Sequence, residues 1–171
     1  MSERFSDLPT GPVSIRSATN GDCEAVRGLV FGVLREFGLE PETDGIDADL
    51  DDIEANYIDR GGLFEVLENE QGELLGTVGL FPMAGSEVEL RKMYFQPALR
   101  GKGVGRKLLA RTVESARELG FRRVVLETAS VLKAAIALYS SFGFKVMEGG
   151  HADRCDLYFY LDLEEDERTE D

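Results

Sequence analysis

The chain has 171 residues, of which 43% are hydrophobic, and it carries a net charge of −14, two cysteines and one histidine. Its length and apolar content suit one folded domain, whereas its negative charge argues against nucleic acid as a partner, because most of the surface would repel phosphates. No apolar run reaches the ~18 residues that span a membrane, no secretory leader is seen and soft metal ligands are scarce, so we expect a cytoplasmic protein with no metal and no membrane partner.

Periodic patterns of apolar residues predict secondary structure in the order β-α-α-β-β-β-α-β-α-β-β. The predicted strands are Val13–Ala18, Leu63–Glu68, Leu74–Phe81, Glu87–Phe95, Arg122–Thr128, Phe144–Met147 and Asp156–Leu163. The predicted helices are one between Asp22 and Gly38, then Asp49–Ile58, Val104–Leu119 and Val131–Phe142. Glu40–Asp49 is predicted to be a loop.

The element order mixes early hairpins with later β-α-β units. It predicts an α/β (α+β) fold with a mixed, mostly antiparallel central sheet of about seven strands and helices on both faces. We place a single domain at residues 13–163. Residues 1–12 are predicted to be an N-terminal extension, and residues 164–171 an acidic tail.

The segment between the fourth predicted strand and the helix at Val104 is rich in glycine and in cations. Its central residues are Arg100, Gly101, Lys102, Gly103, Val104, Gly105 and Arg106. Glycine lets the backbone approach a ligand closely, and the start of a helix offers unpaired N–H groups. The loop is therefore predicted to bind a pyrophosphate. The alternative is a purely structural turn, while the Walker and dinucleotide fingerprints do not match.

This loop resembles the Arg/Gln-x-x-Gly-x-Gly/Ala signature of the GNAT superfamily of acyl-CoA-dependent N-acyltransferases. Two further segments resemble the same family: Glu89–Pro97 is similar to its fourth strand, and Ala137–Phe144 to a helix end with the pattern LYxxxGF. The element order is similar from Val13 to about Leu163. The resemblance implies a GNAT-like fold and transfer of an acetyl group from acetyl-CoA to a primary amine by direct attack.

The resemblance also implies that the loop amides hold the pyrophosphate of acetyl-CoA, and that the end of the fourth strand pairs with its pantetheine arm. The residues so assigned are Met93, Tyr94, Phe95, Arg100, Gly101, Lys102, Gly103, Val104, Gly105 and Arg106. One position departs from the family, because Leu132 stands where many members carry asparagine. Thr128 and Ser130 lie nearby and could supply hydroxyl groups instead.

Amine attack on a thioester needs a base for the amine and an acid for the departing thiolate. From the LYxxxGF match we expect Tyr139 to be the acid, with a packed aromatic as the alternative. We expect Glu89 to be the base, directly or through water, with an ion pair to Arg91 or to a neighbouring strand as the alternative. Glu87 is a weaker candidate. Strand alternation predicts that one face carries Glu87, Glu89, Arg91, Met93 and Phe95.

Two other reactive side chains are given structural interpretations. His151 lies in a glycine-flanked segment that we expect to be an exposed hairpin tip. Cys155 begins the last predicted strand, where we expect it to be packed, and no partner is evident that would activate its thiol.

In the family the acceptor site usually lies in the regions that correspond to Phe31–Asp59 and Met147–Tyr158. The first region carries acidic and aromatic side chains: Phe31, Glu36, Phe37, Asp44, Asp47, Asp49, Asp51 and Tyr57. These suggest a small cationic amine as the acceptor. The alternative is that the acidic charge only keeps the protein in solution.

Two rival functions remain open. One is a non-catalytic acyl-CoA-binding sensor or interaction module, and the other is a nucleotide-binding domain that uses the same glycine loop. The oligomeric state is also open, with a homodimer as one option.

Overall fold

The computed structural model describes residues 4–5, 8, 10–148 and 155–163, and within these residues eight strands form one sheet. The strands are β1 (Arg4–Phe5), β2 (Val13–Ser17), β3 (Leu63–Asn69), β4 (Leu74–Pro82), β5 (Glu87–Phe95), β6 (Arg123–Thr128), β7 (Lys145–Met147) and β8 (Leu157–Asp162). The helices are α1 (Cys23–Glu36), α2 (Val104–Glu118) and α3 (Lys133–Phe142). Short helical turns span Asn20–Asp22, Ile46–Asp51, Glu54–Ile58 and Pro97–Leu99.

The sheet order is β1-β2-β3-β4-β5-β6-β8-β7, and each described pair is antiparallel except the parallel pair β5–β6. One apolar cluster joins the sheet to α2 and α3, and a second joins it to α1 and to the turns at 46–58. Helices therefore cover both faces, and the predicted fold class is confirmed. Among the described residues, no helix is both long enough and apolar enough to cross a membrane.

The sheet begins earlier in the chain than predicted. Arg4 pairs with Ser14 and Phe5 with Val13, so β1 adds an edge strand within the segment that we set apart as an extension. Two residues are too short for an alternating pattern, which is why the sequence does not reveal this strand.

The helix predicted at Asp49–Ile58 is wrong, since two separate turns occupy this region and the first reaches back into the predicted loop. The side chain of Asn20 explains the break. It accepts the backbone N–H of Glu54 at 3.0 Å and donates to Asp52 Oδ1 at 2.9 Å. Because that N–H is bound by a side chain, it does not continue a helical ladder through Asp52.

A bulge changes the direction of the side chains along β5. Gly79 of β4 pairs with Arg91, but Thr77 pairs with Tyr94, so β5 holds one extra residue between them. Val88, Leu90, Met93 and Phe95 consequently share the face toward α2, while Glu89, Arg91 and Tyr94 lie on the face toward α1. The prediction that Met93 and Phe95 share a face with Glu89 is therefore wrong.

Strands β5 and β6 separate beyond the bulge. Their parallel pairing covers only Glu87–Glu89 and Arg123–Val125, although both strands continue. The sheet therefore opens at its centre, which leaves the last residues of β5 facing a gap.

Candidate active site

A cavity of about 360 Å³ occupies the gap between β5 and β6. Its wall is formed by the end of β5, the glycine loop, the start of α2, one side of α3 and the last turn of α1. Tyr139 and Glu89 both line it, as do all the residues assigned to the acyl-CoA except Lys102. The fold thus brings together segments that lie far apart in sequence.

The glycine loop has the conformation that its composition predicts. Gly101 and Gly103 have φ angles of 73° and 77°, which other residues adopt only with strain, and Gly103 immediately precedes α2. A Cβ at Gly105 would lie 3.4 Å from Leu138 and 3.6 Å from Phe95. The bare backbone of the first turn of α2, with its unpaired N–H groups, therefore lines the cavity and fits a pyrophosphate.

The three cations of the loop differ in what they contact. Arg100 forms two hydrogen bonds to Glu36, of 2.8 and 2.7 Å, and its guanidinium also donates to the carbonyl of Phe95 at 2.9 Å. Its charge is thus already compensated, and it ties the loop to α1 and to the end of β5. Arg106 donates to Ser141 Oγ at 3.1 Å, and no carboxylate among the described residues pairs with it. Lys102 is exposed and does not line the cavity.

The end of β5 presents backbone groups to the gap. Gln96 N–H donates to the carbonyl of Leu75, and Tyr94 pairs with Thr77, so these residues hydrogen-bond toward β4. Since the Gln96 N–H points toward β4, the N–H of Phe95 points into the gap. At the bulge, the Lys92 carbonyl accepts from the Thr77 hydroxyl on β4 at 2.6 Å, and because the C=O and N–H of a trans peptide point in opposite directions, the N–H of Met93 also points into the gap. These two groups fit an extended arm such as that of an acyl-CoA, whereas Tyr94 pairs with Thr77 of β4.

Tyr139 is buried in the wall of the cavity, with its ring against Phe144 and Phe159 at centroid distances of 5.7 and 6.3 Å. Burial raises the pKa of its hydroxyl well above the usual value, so the group holds its proton at neutral pH. No described residue forms a hydrogen bond with this hydroxyl. The protonated hydroxyl can donate to a ligand in the cavity that Tyr139 lines.

Glu89 is buried, and its Oε1 accepts from Arg91 Nε at 2.6 Å. The guanidinium of Arg91 in turn lies 3.8 Å from the ring centroid of Phe81. The ion pair that we weighed as the alternative for Glu89 is therefore present, and it leaves the second carboxylate oxygen for another partner. Glu87 does not line the cavity, and it lies 4.0 Å from Arg123.

The remaining sequence candidates separate into two groups. Three of them line the cavity: Leu132, Thr128 and Cys155. At the position that departs from the family, Leu132 therefore contributes apolar surface to the wall, and the hydroxyl of the buried Thr128 belongs to the same wall. Ser130 does not line it, and its N–H instead donates to Asp156 Oδ1 at 2.7 Å. His151 lies outside the described residues.

The acidic residues that suggested a cationic acceptor are mostly engaged within the protein. Glu36 pairs with Arg100, Asp51 lies 3.5 Å from Arg27, and Asp47 and Asp49 are buried. Asp44 alone of this set is exposed without an ion pair among the described residues. Among the residues that the structure describes, the carboxylates that line the cavity are those of Glu89 and Glu127.

Sequence reasoning missed Lys92, whose ammonium is buried between two of the three aspartates of the Ile46–Asp51 turn. Its Nζ lies 2.8 Å from Asp47 Oδ1 and 3.3 Å from Asp49 Oδ1. Tyr57 donates a hydrogen bond to Asp49, and burial together with that negative charge raises the pKa of the Tyr57 phenol. The available signal was a lysine within an otherwise buried strand, which requires a buried partner.

An opened central sheet with a glycine loop at its mouth defines the class of acyl-CoA-dependent acyltransferases that the resemblance implied. The chain belongs to the Acetyltransferase (GNAT) family, whose model matches residues 32–144. An uncharacterized N-acetyltransferase of Escherichia coli (strain K12), YjgM, is 40% identical over 165 residues, which cover 91% of this chain and 97% of that protein. The chain is thus an acetyl-CoA-dependent acyltransferase.

Solved structures share the fold. A GNAT-family acetyltransferase from Staphylococcus aureus Mu50 superposes with a TM-score of 0.84 at 24% identity, over 89% of this chain and 99% of that one. The yncA protein of Salmonella typhimurium, described as a putative acetyltransferase with its cofactor acetyl-CoA, gives a TM-score of 0.66 at 28% identity, over 92% and 98% of the two chains.

Proposed function

We propose that this protein transfers the acetyl group of acetyl-CoA to the primary amine of a small cationic acceptor, by direct attack of the amine on the thioester. The observation that carries the proposal is the single cavity that joins the glycine loop, the open end of β5, Glu89 and Tyr139. A similar protein, yncA of Salmonella typhimurium, has been solved with acetyl-CoA.

The donor site follows from the backbone. The N–H groups at the start of α2 and the charge of Arg106 bind the phosphates, since anions are stabilised at helix N-termini. The Met93 and Phe95 amides hold the arm, and an amide at this point can polarise the thioester carbonyl. Acetyl-CoA itself supplies the activated acyl group as a thioester.

Two side chains move the protons. Glu89 takes the proton that the attacking amine loses, directly or through water, and Arg91 holds this carboxylate in place. Tyr139 gives its proton to the departing sulfur, a role that suits a phenol which is protonated at neutral pH. The amine nitrogen thus gains an acetyl group and loses a proton, and the sulfur gains a proton.

The charge of the acceptor is argued from the carboxylates that remain in the cavity wall. Glu89 and Glu127 line the cavity, Glu89 together with its partner Arg91, and the protein as a whole carries a net charge of −14, which attracts cations. Asp47 and Asp49 give less support than their number in the sequence suggested, because Lys92 compensates them.

Thiol release from acetyl-CoA with a matched panel of amines tests the proposal. The panel holds a diamine, an amino alcohol and an amino carboxylate of similar length, and we expect kcat/KM to be highest for the diamine. Preference for the carboxylate would refute the cationic acceptor. Binding of acetyl-CoA without turnover on any amine would favour the sensor. Binding of ATP or NAD, with no binding of CoA, would favour a nucleotide site.

A further inference from the structure

Lys92 forms the bulge of β5 in a conformation that is unusual for its residue type. Its φ angle is 56°, and it is the one non-glycine residue of the described chain with a positive φ. The hydroxyl of Thr77 on β4 donates to the Lys92 carbonyl at 2.6 Å, which secures the bulge from the neighbouring strand. A long side chain rarely adopts this conformation unless the surrounding structure enforces it.

The ammonium of Lys92 supplies that enforcement. Its side chain is 3% exposed, and its Nζ donates to the carbonyl of Ile46 at 3.2 Å in addition to its ion pairs with Asp47 and Asp49. Asp47 also accepts the backbone N–H of Glu42 at 2.8 Å, so the same carboxylate fixes the chain before the turn. A buried ammonium is costly without such partners, and its position is therefore narrowly defined.

The bulge determines where the next backbone amide points. Without the extra residue, Met93 would keep the side-chain direction of Arg91, and its N–H would have the opposite orientation. With it, the Met93 N–H faces the gap in the sheet. The ion pairs of Lys92 with the Ile46–Asp51 turn thus connect that turn, on the α1 face of the sheet, to the backbone amide of Met93, which faces the site predicted for acetyl-CoA.

We propose that Lys92 is a positioning residue for acetyl transfer, which holds the β5 bulge against Asp47 and Asp49 so that the Met93 amide is aligned with the thioester. This inference rests on the proposed acetyltransferase activity. Lys92 acts through the backbone and not by contact with the reacting atoms, so its removal affects turnover more than coenzyme binding. The glycine loop leads into α2, which packs on the opposite face of the sheet from the turn that holds Lys92.

The test compares Lys92→Met with Arg111→Met. Arg111 on α2 lies outside the cavity, on the opposite face of the sheet, and pairs with the largely buried Glu65 at 3.0 Å. Its substitution therefore matches that of Lys92, because both remove a cation that is paired with a buried carboxylate. We expect Lys92→Met to lower kcat about tenfold or more, when kcat is calculated per protein molecule that binds CoA. The Kd of acetyl-CoA should change less than about threefold. Arg111→Met should lower thermal stability while kcat stays within about twofold of wild type.

Asp47→Asn keeps the lysine and tests the same anchor if Lys92→Met does not fold. We expect a smaller loss of kcat, again with little change in the Kd of acetyl-CoA, and faster hydrogen exchange in peptides that contain Met93. Unchanged kcat in either Lys92→Met or Asp47→Asn, or an equal loss in Arg111→Met, would overturn the inference. Failure of the wild-type protein to acetylate any amine would instead refute the proposed function.

Discussion

Burial controls the chemistry of the two side chains that we assign to proton transfer. Tyr139 lies among aromatic rings in a low-dielectric wall, which favours its neutral form. Glu89 is also buried, and its Oε1 accepts a hydrogen bond from the Arg91 guanidinium at 2.6 Å, which holds the carboxylate in place. A phenol that keeps its proton and a carboxylate with a fixed orientation are suitable as an acid and a base.

Tyr139→Phe should lower kcat by about two orders of magnitude, because the departing sulfur loses its proton donor. The Kd of acetyl-CoA should change less than about twofold. Since the pKa of Tyr139 is raised, its ionisation should not lower the rate of the wild-type protein up to about pH 10, where an exposed tyrosine titrates. Equal rates for wild type and variant would remove Tyr139 from the mechanism.

Arg106→Ala and Lys102→Ala form a matched pair that tests which cation binds the phosphates. Arg106 lines the cavity and Lys102 does not. Titration calorimetry should show about tenfold weaker acetyl-CoA binding for Arg106→Ala, because a hydrogen bond to a charged group contributes about 1.5 kcal/mol. We expect less than about a twofold effect for Lys102→Ala. A larger loss in Lys102→Ala would contradict this assignment.

At the level of elements, function depends on two places where regular structure ends. Strand β5 loses its pairing with β6 after Glu89, and α2 begins at Val104 with unpaired amides. Among the described elements, both places leave backbone N–H groups without a partner in the sheet or the helix. An extended ligand that carries a pyrophosphate would supply such partners.

Gly103→Ala and Gly120→Ala test the start of α2 against its end. Both glycines have positive φ, of 77° and 90°, and an added Cβ would meet no atom within 4 Å at either one. Each substitution should therefore cost a similar ~1 kcal/mol of stability in thermal unfolding. Only Gly103→Ala should also weaken acetyl-CoA binding, because Gly103 lines the cavity. Equal affinities in the two variants would contradict a phosphate-binding role for this loop.

The whole molecule distributes its excess of acidic residues unevenly. Several of these residues form ion pairs within the fold, among them Asp22 with Arg16, Glu36 with Arg100 and Asp47 with Lys92. The net charge of −14 already counts the cations of these pairs, so it describes the whole molecule and not the charge that the cavity presents to an acceptor. We therefore expect acceptor preference to depend on the side chains of the cavity wall.

Local patterns predicted most of the fold. Strand β5 was predicted with the bounds that it has, and α2 to within one residue, because a clear periodicity and a proline or glycine at each boundary define them. The prediction of a helix at Asp49–Ile58 is wrong because Asn20, more than 30 residues away, accepts the N–H of Glu54. Such a contact leaves no trace in local periodicity.

The sequence by itself determined the family, most of the element order and the glycine loop, because these depend on residues close together in the chain. Only the tertiary structure decided which residues meet at the cavity and how they are charged there. It placed Glu36 on Arg100, Asp47 on Lys92 and the Tyr139 hydroxyl in an apolar wall. Ion pairing and desolvation depend on distance and burial, which are set when distant segments pack together.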